Sequence, residues 1–394
     1  MKKRIGIECA SAAALAVKLA KVDVVAAYPI TPQTHIAEVL SEYVANGEID
    51  AEYINVESEH SALSACIGAS AVGARVFTAT CGPGLALMHE LLPIAAGWRL
   101  PIVMANTNRS LSPNLNIWGD QSDSMASRDC GWIQIFVENA QEIFDSIIMA
   151  YKIAEDERVL LPVMVNFKGF YCTHVIEPLT TLDQEEVDKF LPPKKIPEYA
   201  LNPDSPTTWG CVAFPDVQTE LKKQWDSALR GSLGVIKEIF KEYGDLFGRN
   251  YDIVETYKMD DAEIGFMLTG YACGTCRVVV DMLRKNGEKV GMIKLRVFRP
   301  FPFNEITKVV GDLKALAVFD EAISVGGVGG PLFGETRSAL YSLKKKPKVL
   351  GFIHGIGGRD IRVEDFLYAY EKTKKVLSNE EKLENDFILS QVRE

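Results

Sequence analysis

The chain has 394 residues, of which 47% are hydrophobic and 24% charged, and it carries a formal net charge of −10. That length suits two domains better than one, and that mix excludes global disorder. The acidic balance repels phosphate backbones, so no nucleic-acid partner is expected.

In chain order, Met1-Lys2-Lys3-Arg4 and the apolar run 5–20 share the outline of a signal peptide. Glu8 and Lys18 interrupt that run, and a first helix of the fold is the expectation. Segment 22–28 reads as a buried strand, 33–45 as a helix and 51–56 as a strand. A small-residue helix at 58–72, a strand at 75–80 and a helix at 84–96 follow. Next come a strand at 101–106, an irregular loop at 107–128, a helix at 139–156 and a strand at 161–167. The longest apolar run, 84–98, contains His89 and Glu90 and is too short to cross a membrane, so no membrane partner is expected. Alternating strand and helix predicts an α/β fold with a doubly wound parallel sheet. Ligands of such sheets sit at the carboxyl ends of the strands. That rule puts 28–32, 57–60, 80–84 and 107–109 on one rim.

From 176 to 258 seven prolines, among them Pro192, Pro193 and Pro215, break regular structure. Leu221, Trp225, Leu229, Ile236 and Phe240 fall at roughly helical spacing, so a connector with one amphipathic helix is expected. Alternation then resumes, with strands at 264–269, 290–297, 315–320 and 349–353 and helices at 276–285 and 334–343. The expected organisation is a first domain at 1–175, a connector at 176–258, a smaller α/β domain at 259–376 and a charged tail at 377–394, peripheral or frayed.

The eight cysteines are dispersed through apolar stretches, unlike a disulfide scaffold, and point to a reducing, cytoplasmic setting. One Cys-x-x-Cys is present, whereas an iron–sulfur cluster takes about four thiolates, so this chain alone is not expected to hold one. Cys273-Gly274-Thr275-Cys276 is either a redox dithiol or a turn with buried thiols, the latter favoured. The five histidines show no metal-ligand spacing, and no metal site is expected. The glycines of 326–330 read as a turn. Cys81-Gly82-Pro83-Gly84 is a tight turn into a helix or an anion cradle, and the pattern leaves both open.

Two positions on the rim carry more chemistry. Glu59 opens a helix and leads into Ala62-Leu63-Ser64-Ala65-Cys66, which predicts a partly buried carboxylate, an acid–base tool when it faces a ring nitrogen. A carboxylate at a helix N-terminus is also favoured by the dipole alone. Arg109 follows Asn108 at a strand end inside polar sequence, a setting suited to two-point capture of a carboxylate, or to a solvent-facing side chain.

With these residues in view, the chain resembles the alpha subunit of the 2-oxoacid:ferredoxin oxidoreductases, most closely the pyruvate branch, over residues 8 to 375. The stretches that carry the resemblance include Tyr28-Pro29-Ile30-Thr31-Pro32, Val56-Glu57-Ser58-Glu59-His60-Ser61-Ala62, Gly84-Leu85-Ala86-Leu87-Met88-His89-Glu90 and Asn108-Arg109. Further on are Arg128-Asp129-Cys130-Gly131-Trp132-Ile133-Gln134, Phe247-Gly248-Arg249, Arg299-Pro300-Phe301-Pro302 and Gly355-Ile356-Gly357-Gly358-Arg359-Asp360. The resemblance implies a thiamine-diphosphate pyrimidine-binding domain followed by a transketolase C-terminal-like domain. It implies that Glu59 hydrogen-bonds ring nitrogen N1′ of the cofactor, that Pro29, Ile30 and Thr31 contact the cofactor, and that Arg109 and Thr31 hold the substrate carboxylate. It implies oxidative decarboxylation of the 2-oxoacid, with coenzyme A taking the acyl group and ferredoxin the electrons, as in anaerobic metabolism.

The Gly-Asp-Gly and downstream Asn that normally bind diphosphate and magnesium are missing. Gly119-Asp120-Gln121, Gly244-Asp245-Leu246 and Gly311-Asp312-Leu313 do not fit. The resemblance therefore implies an obligate hetero-oligomer. A beta subunit would supply diphosphate and Mg2+ binding, a delta-type subunit the 4Fe-4S clusters, alongside a gamma subunit. Thr31 in place of a second arginine argues against a dicarboxylate substrate. The loop 110–118, with Ile117 and Trp118, is expected to shape a pocket for a small side chain, with pyruvate first. A branched-chain 2-oxoacid or an aryl-glyoxylate comes second, and a non-catalytic assembly subunit is the rival of another class.

Overall fold

The computed structural model describes residues 3–196, 200 and 202–393. Its first half contributes β1 (Arg4–Glu8), β2 (Val24–Ala26), β3 (Glu52–Ile54), β4 (Val76–Thr80), β5 (Ile102–Asn108), β6 (Ile133–Phe136), β7 (Val163–Lys168) and β8 (Ile176–Thr180). The second half contributes β9 (Val254–Tyr257), β10 (Ile264–Leu268), β11 (Val290–Leu295), β12 (Val297–Arg299), β13 (Ala315–Asp320), β14 (Lys348–Ile353) and β15 (Phe387–Leu389). The first sheet has the order β12-β6-β7-β5-β4-β2-β3, and the second β15-β14-β13-β10-β11-β9. Both are parallel except for one antiparallel edge strand each, β12 and β9. Every residue of β4 and β5 is buried, as a sheet covered on both faces requires. The alanine-rich helix Cys9–Leu19 packs against helix Ala140–Glu155, and small side chains let the two approach closely.

Several elements depart from expectation. The run 5–20 is a strand and then a helix, because Ile5 and Ile7 alternate in β1, which pairs antiparallel with β8. The expected helix 84–96 is two, Gly82–Leu87 and Leu91–Gly97. Pro93 lacks an N–H and fits only a first turn, so a helix must restart just before it. Strand β6 lies where a loop led towards a helix; four residues give too little alternation to stand out. The tail is not frayed throughout, since Phe387, Ile388 and Leu389 add β15 in parallel to β14.

The long helix Gln218–Phe247 is exposed at its start and buried from Ser232 onward through Val235, Ile236, Ile239, Phe240 and Tyr243. It ends at Gly248, whose φ of 74° is the left-handed cap that favours glycine. Fully buried Asp145 ties this helix down. It accepts from Tyr243 Oη at 2.6 Å, Arg249 Nε at 2.6 Å and Tyr251 Oη at 2.5 Å. A buried charge so fully bonded is tolerated where a bare one would not be.

Charged side chains also join the two sheets. Lys294 and Arg296, both wholly buried, meet Glu142 at 2.5 and 2.9 Å. Burial opposes ionisation of Glu142, yet these two cations hold its carboxyl well below the usual carboxylate range. Lys168, the last residue of β7, pairs with Glu321, just beyond β13, at 2.6 Å. The carboxyl ends of the two sheets therefore meet.

Candidate active site

In the first sheet, β2 is followed by β3 on one side and by β4 on the other, so strand order reverses between β2 and β4. A crevice opens at the carboxyl ends of strands at such a point. Residues 28–32 leave β2 there, and the turn from Thr80 to Gly84 leaves β4. The helix Glu59–Ala71, which follows β3, starts at the same place. Its cap is Ser58, whose side chain accepts from the Ser61 N–H at 3.2 Å, so the first helical residue, Glu59, is fixed at the turn.

Glu59 is only 6% exposed. Its carboxyl group lies on Gly84, where an added Cβ would stand 2.5 Å from Glu59 Oε1 and 2.6 Å from Thr80 Oγ1. The buried Thr80 hydroxyl has no hydrogen-bond partner. Arg109, at the end of β5, is also 6% exposed. Its methylenes cross Gly82, Nε donates to the Asn116 carbonyl at 2.9 Å, and Nη1 donates to the Thr31 carbonyl at 2.9 Å. Among the described residues no nitrogen or oxygen acceptor faces Nη2, although the Cys81 thiol lies against the same guanidinium, and that edge of the fork is left for an anion.

Asp123 ties the turn at Gly82 to the backbone of Arg109. It accepts from Gly82 N–H at 2.9 Å, Arg109 N–H at 3.0 Å and Asn108 Nδ2 at 2.8 Å. Burial pushes its carboxyl up to about 6 despite these donors. The Gly82 N–H is therefore committed to a carboxylate of the chain itself, and the anion-cradle reading of Cys81 to Gly84 gives way to the tight turn. Cys81 donates weakly to the Thr31 carbonyl at 3.1 Å, and burial pushes its thiol up to about 12.

Thus the structure brings Glu59, Arg109 and Thr31 to one rim. Thr31 presents its carbonyl inward and is itself exposed, as is Pro29, while Ile30 is half-buried. The Ile30 N–H donates to Gln33 Oε1 at 3.2 Å, which fixes that turn. Sequence reasoning missed Asp123, Gly84 as a seat for Glu59, and Asn116. Asp123 lay in a segment read as irregular, yet helix Ser122–Ala126 runs through it. Cys273 and Cys276 are wholly buried, and burial raises both thiols, the state of packing residues rather than of a redox pair.

Two family models match the chain. The pyruvate flavodoxin/ferredoxin oxidoreductase, thiamine-diphosphate-binding family matches residues 15–241. Pyruvate:ferredoxin oxidoreductase core domain II matches 262–366. The chain belongs to the pyruvate:ferredoxin oxidoreductase family. Among curated relatives of this family, pyruvate synthase subunit PorA of Methanocaldococcus jannaschii is 50% identical over 96% of this chain and 95% of its own length. Ketoisovalerate oxidoreductase subunit VorA of Pyrococcus horikoshii is 48% identical over 93% of each. Among solved structures, the 2-oxoglutarate:ferredoxin oxidoreductase from Magnetococcus marinus aligns with a TM-score of 0.72 at 18% identity. That alignment covers 94% of this chain and 65% of that one, and it speaks for the fold.

The residues present fit half of a thiamine-diphosphate site. A buried carboxylate seated on a glycine, beside an unpartnered hydroxyl, suits a polar heterocycle. Among the described residues no group of His, Cys, Asp and Glu is arranged to hold a metal ion.

Proposed function

We propose that this chain is the alpha subunit of a coenzyme A-dependent pyruvate:ferredoxin oxidoreductase, working reversibly as a pyruvate synthase. The observation that carries the proposal is the pairing, on one switch-point rim, of a buried Glu59 seated on Gly84 with an Arg109 fork open at Nη2. Its kinship to pyruvate synthase subunits over nearly the whole chain supports the substrate. Bound thiamine diphosphate supplies the carbon nucleophile and the electron sink for decarboxylation. Glu59 would hold a proton against its ring nitrogen, in a site dry enough to strengthen that bond. Pro29, Ile30 and the Thr31 side chain would face the ring from the turn after β2. Arg109 would orient the 2-oxoacid carboxylate through Nη2, with Thr31 beside it.

Diphosphate binding, Mg2+ and 4Fe-4S clusters are assigned to partner subunits of beta and delta type, with a gamma subunit completing the complex. The support is the missing Gly-Asp-Gly and the dispersed cysteines. No described helix is long and apolar enough to cross a membrane, and a cytoplasmic complex is part of the proposal. A branched-chain 2-oxoacid is the second reading, because the ketoisovalerate subunit is nearly as similar.

The test is a substrate panel on the purified complex, kept anoxic, with coenzyme A and a low-potential electron acceptor. Pyruvate should give the highest kcat/KM. A higher value for 2-oxoisovalerate would transfer the assignment to the second reading, and no turnover of any 2-oxoacid would overturn both.

A further inference from the structure

Arg109 is oriented by a turn distant in sequence but adjacent in space. Its Nε bond ends on the Asn116 carbonyl, and the Asn116 side chain fixes that carbonyl from two directions. Oδ1 accepts from the Trp118 N–H at 2.8 Å, and Nδ2 donates to the Gly357 carbonyl at 3.1 Å. Gly357 lies in the turn after β14, in the second half of the chain. Its N–H donates to Asp120 Oδ2 at 2.8 Å. Its φ is +62°, and a Cβ there would stand 2.6 Å from Asn116 Nδ2. A Cβ on the next residue, Gly358, would stand 2.3 Å from Trp118 Cβ. The loop 110–119 and the turn around Gly357 are therefore interlocked. Between them lies a cavity of about 540 Å3 lined by Ser110, Asn114, Trp118, Ile356 and Arg359.

A planar guanidinium recognises a carboxylate only when its plane is correctly turned. Two backbone carbonyls set that plane here, those of Thr31 and Asn116, with the Cys81 thiol alongside. Slackening one leaves a single anchor and a fork free to swing. We propose that Asn116 is a positioning residue for Arg109, through which the turn at Gly357 sets how the guanidinium meets the 2-oxoacid. This rests on the assignment of Arg109 to the substrate carboxylate. It gives the second half of the chain a part in substrate capture, although none of its residues is placed on the rim.

The test uses the assembled complex, pyruvate and a low-potential acceptor. Asn116→Ala keeps the carbonyl and cuts both of its ties. Gly357→Ala pushes on the same side chain from the other partner. Each should raise KM for pyruvate about tenfold, with a much smaller fall in kcat and no change in KM for coenzyme A. In an Arg109→Ala background neither substitution should add to the KM effect, because a residue acting through Arg109 has nothing left to act on. The positioning role is overturned if Asn116→Ala leaves KM within about twofold of the parent complex. It is equally overturned if the effect persists undiminished beside Arg109→Ala. Should Arg109→Ala itself leave KM unchanged, the assignment of Arg109 fails and this role falls with it. A raised KM in Arg109→Ala beside a silent Asn116→Ala removes the positioning role alone.

Discussion

Glu59 and Gly84 are a matched pair, and neither makes sense without the other. The carboxyl group occupies the space in which a side chain at 84 would stand, with 2.5 Å between the added Cβ and Oε1. The glycine permits the close approach, the Ser58 cap fixes the start of the helix that carries Glu59, and the buried turn after β4 fixes Gly84. Gly84→Ala should therefore displace Glu59 rather than unfold the chain. Turnover of the complex should fall about a hundredfold, the scale of a displacement of about 1 Å at a reacting group. The thermal midpoint should move by only the few degrees that mild overpacking costs. Wild-type turnover in that variant would show that Glu59 need not sit where it does. At this scale the sequence was legible for Glu59 and Arg109, because each breaks a local pattern: an acid heading an apolar helix, and a cation ending a buried strand. Asp123, Gly84 and Asn116 break none. Their roles come from contacts between segments distant in sequence.

The ends of the second sheet carry a different consequence. His354 closes β14 in a wholly buried position, with its ring 5.2 Å from Phe319 and 5.6 Å from Phe366 and its Nδ1 without a partner. Burial, with Lys168 nearby, pushes its imidazole down to about 3. An unfolded chain takes up this proton below about 6.5, whereas the folded chain resists until about 3. The contribution is present above 6.5 and is lost as pH falls through that window, at roughly 1.4 kcal/mol per pH unit. Asp123 and Asp320, which burial pushes up to about 6 and about 7, act in the opposite sense, so the comparison must be between variant and parent. His354→Phe should flatten the acid side of the stability profile of the full chain, measured as thermal midpoint from pH 7 to 4. An unchanged slope would mean that His354 is protonated in the fold. The long alternating strands of both halves were legible because β-branched runs and helical spacing repeat. β6 and β15 were not, since each is short and is defined by its neighbours rather than by its own pattern.

Across the whole molecule, two parallel sheets place their carboxyl ends together, and side chains of the first fill the crevice of the second. Gln121 bonds Thr269 at 2.9 Å, beside the switch between β10 and β13, and Lys168 pairs with Glu321 at 2.6 Å. Nothing in a sequence read segment by segment announces which sheet ends face each other. Lys168 and Glu321 look like ordinary charges until both prove 5% exposed or less. Removing one partner of a buried pair strands the other, at about 3–5 kcal/mol. Lys168→Met should lower the thermal midpoint sharply, and Lys168→Met with Glu321→Leu should recover most of the loss. A double variant no better than the single one would contradict the pair as the source. The same separation of roles explains why half of a cofactor site was expected from the sequence. Glu59 and Arg109 stand on the rim, and the lack of a Gly-Asp-Gly stretch is readable without coordinates.

The most direct measurement is the turnover of Glu59→Gln in the fully assembled complex, with subunit composition verified. Glutamine keeps the shape of the side chain and removes its proton chemistry. Turnover with pyruvate should fall by about 100-fold to 10,000-fold while the complex stays intact, the range that a positioned acid–base group supplies. An assembled complex that turns over at the wild-type rate would contradict the role given to Glu59.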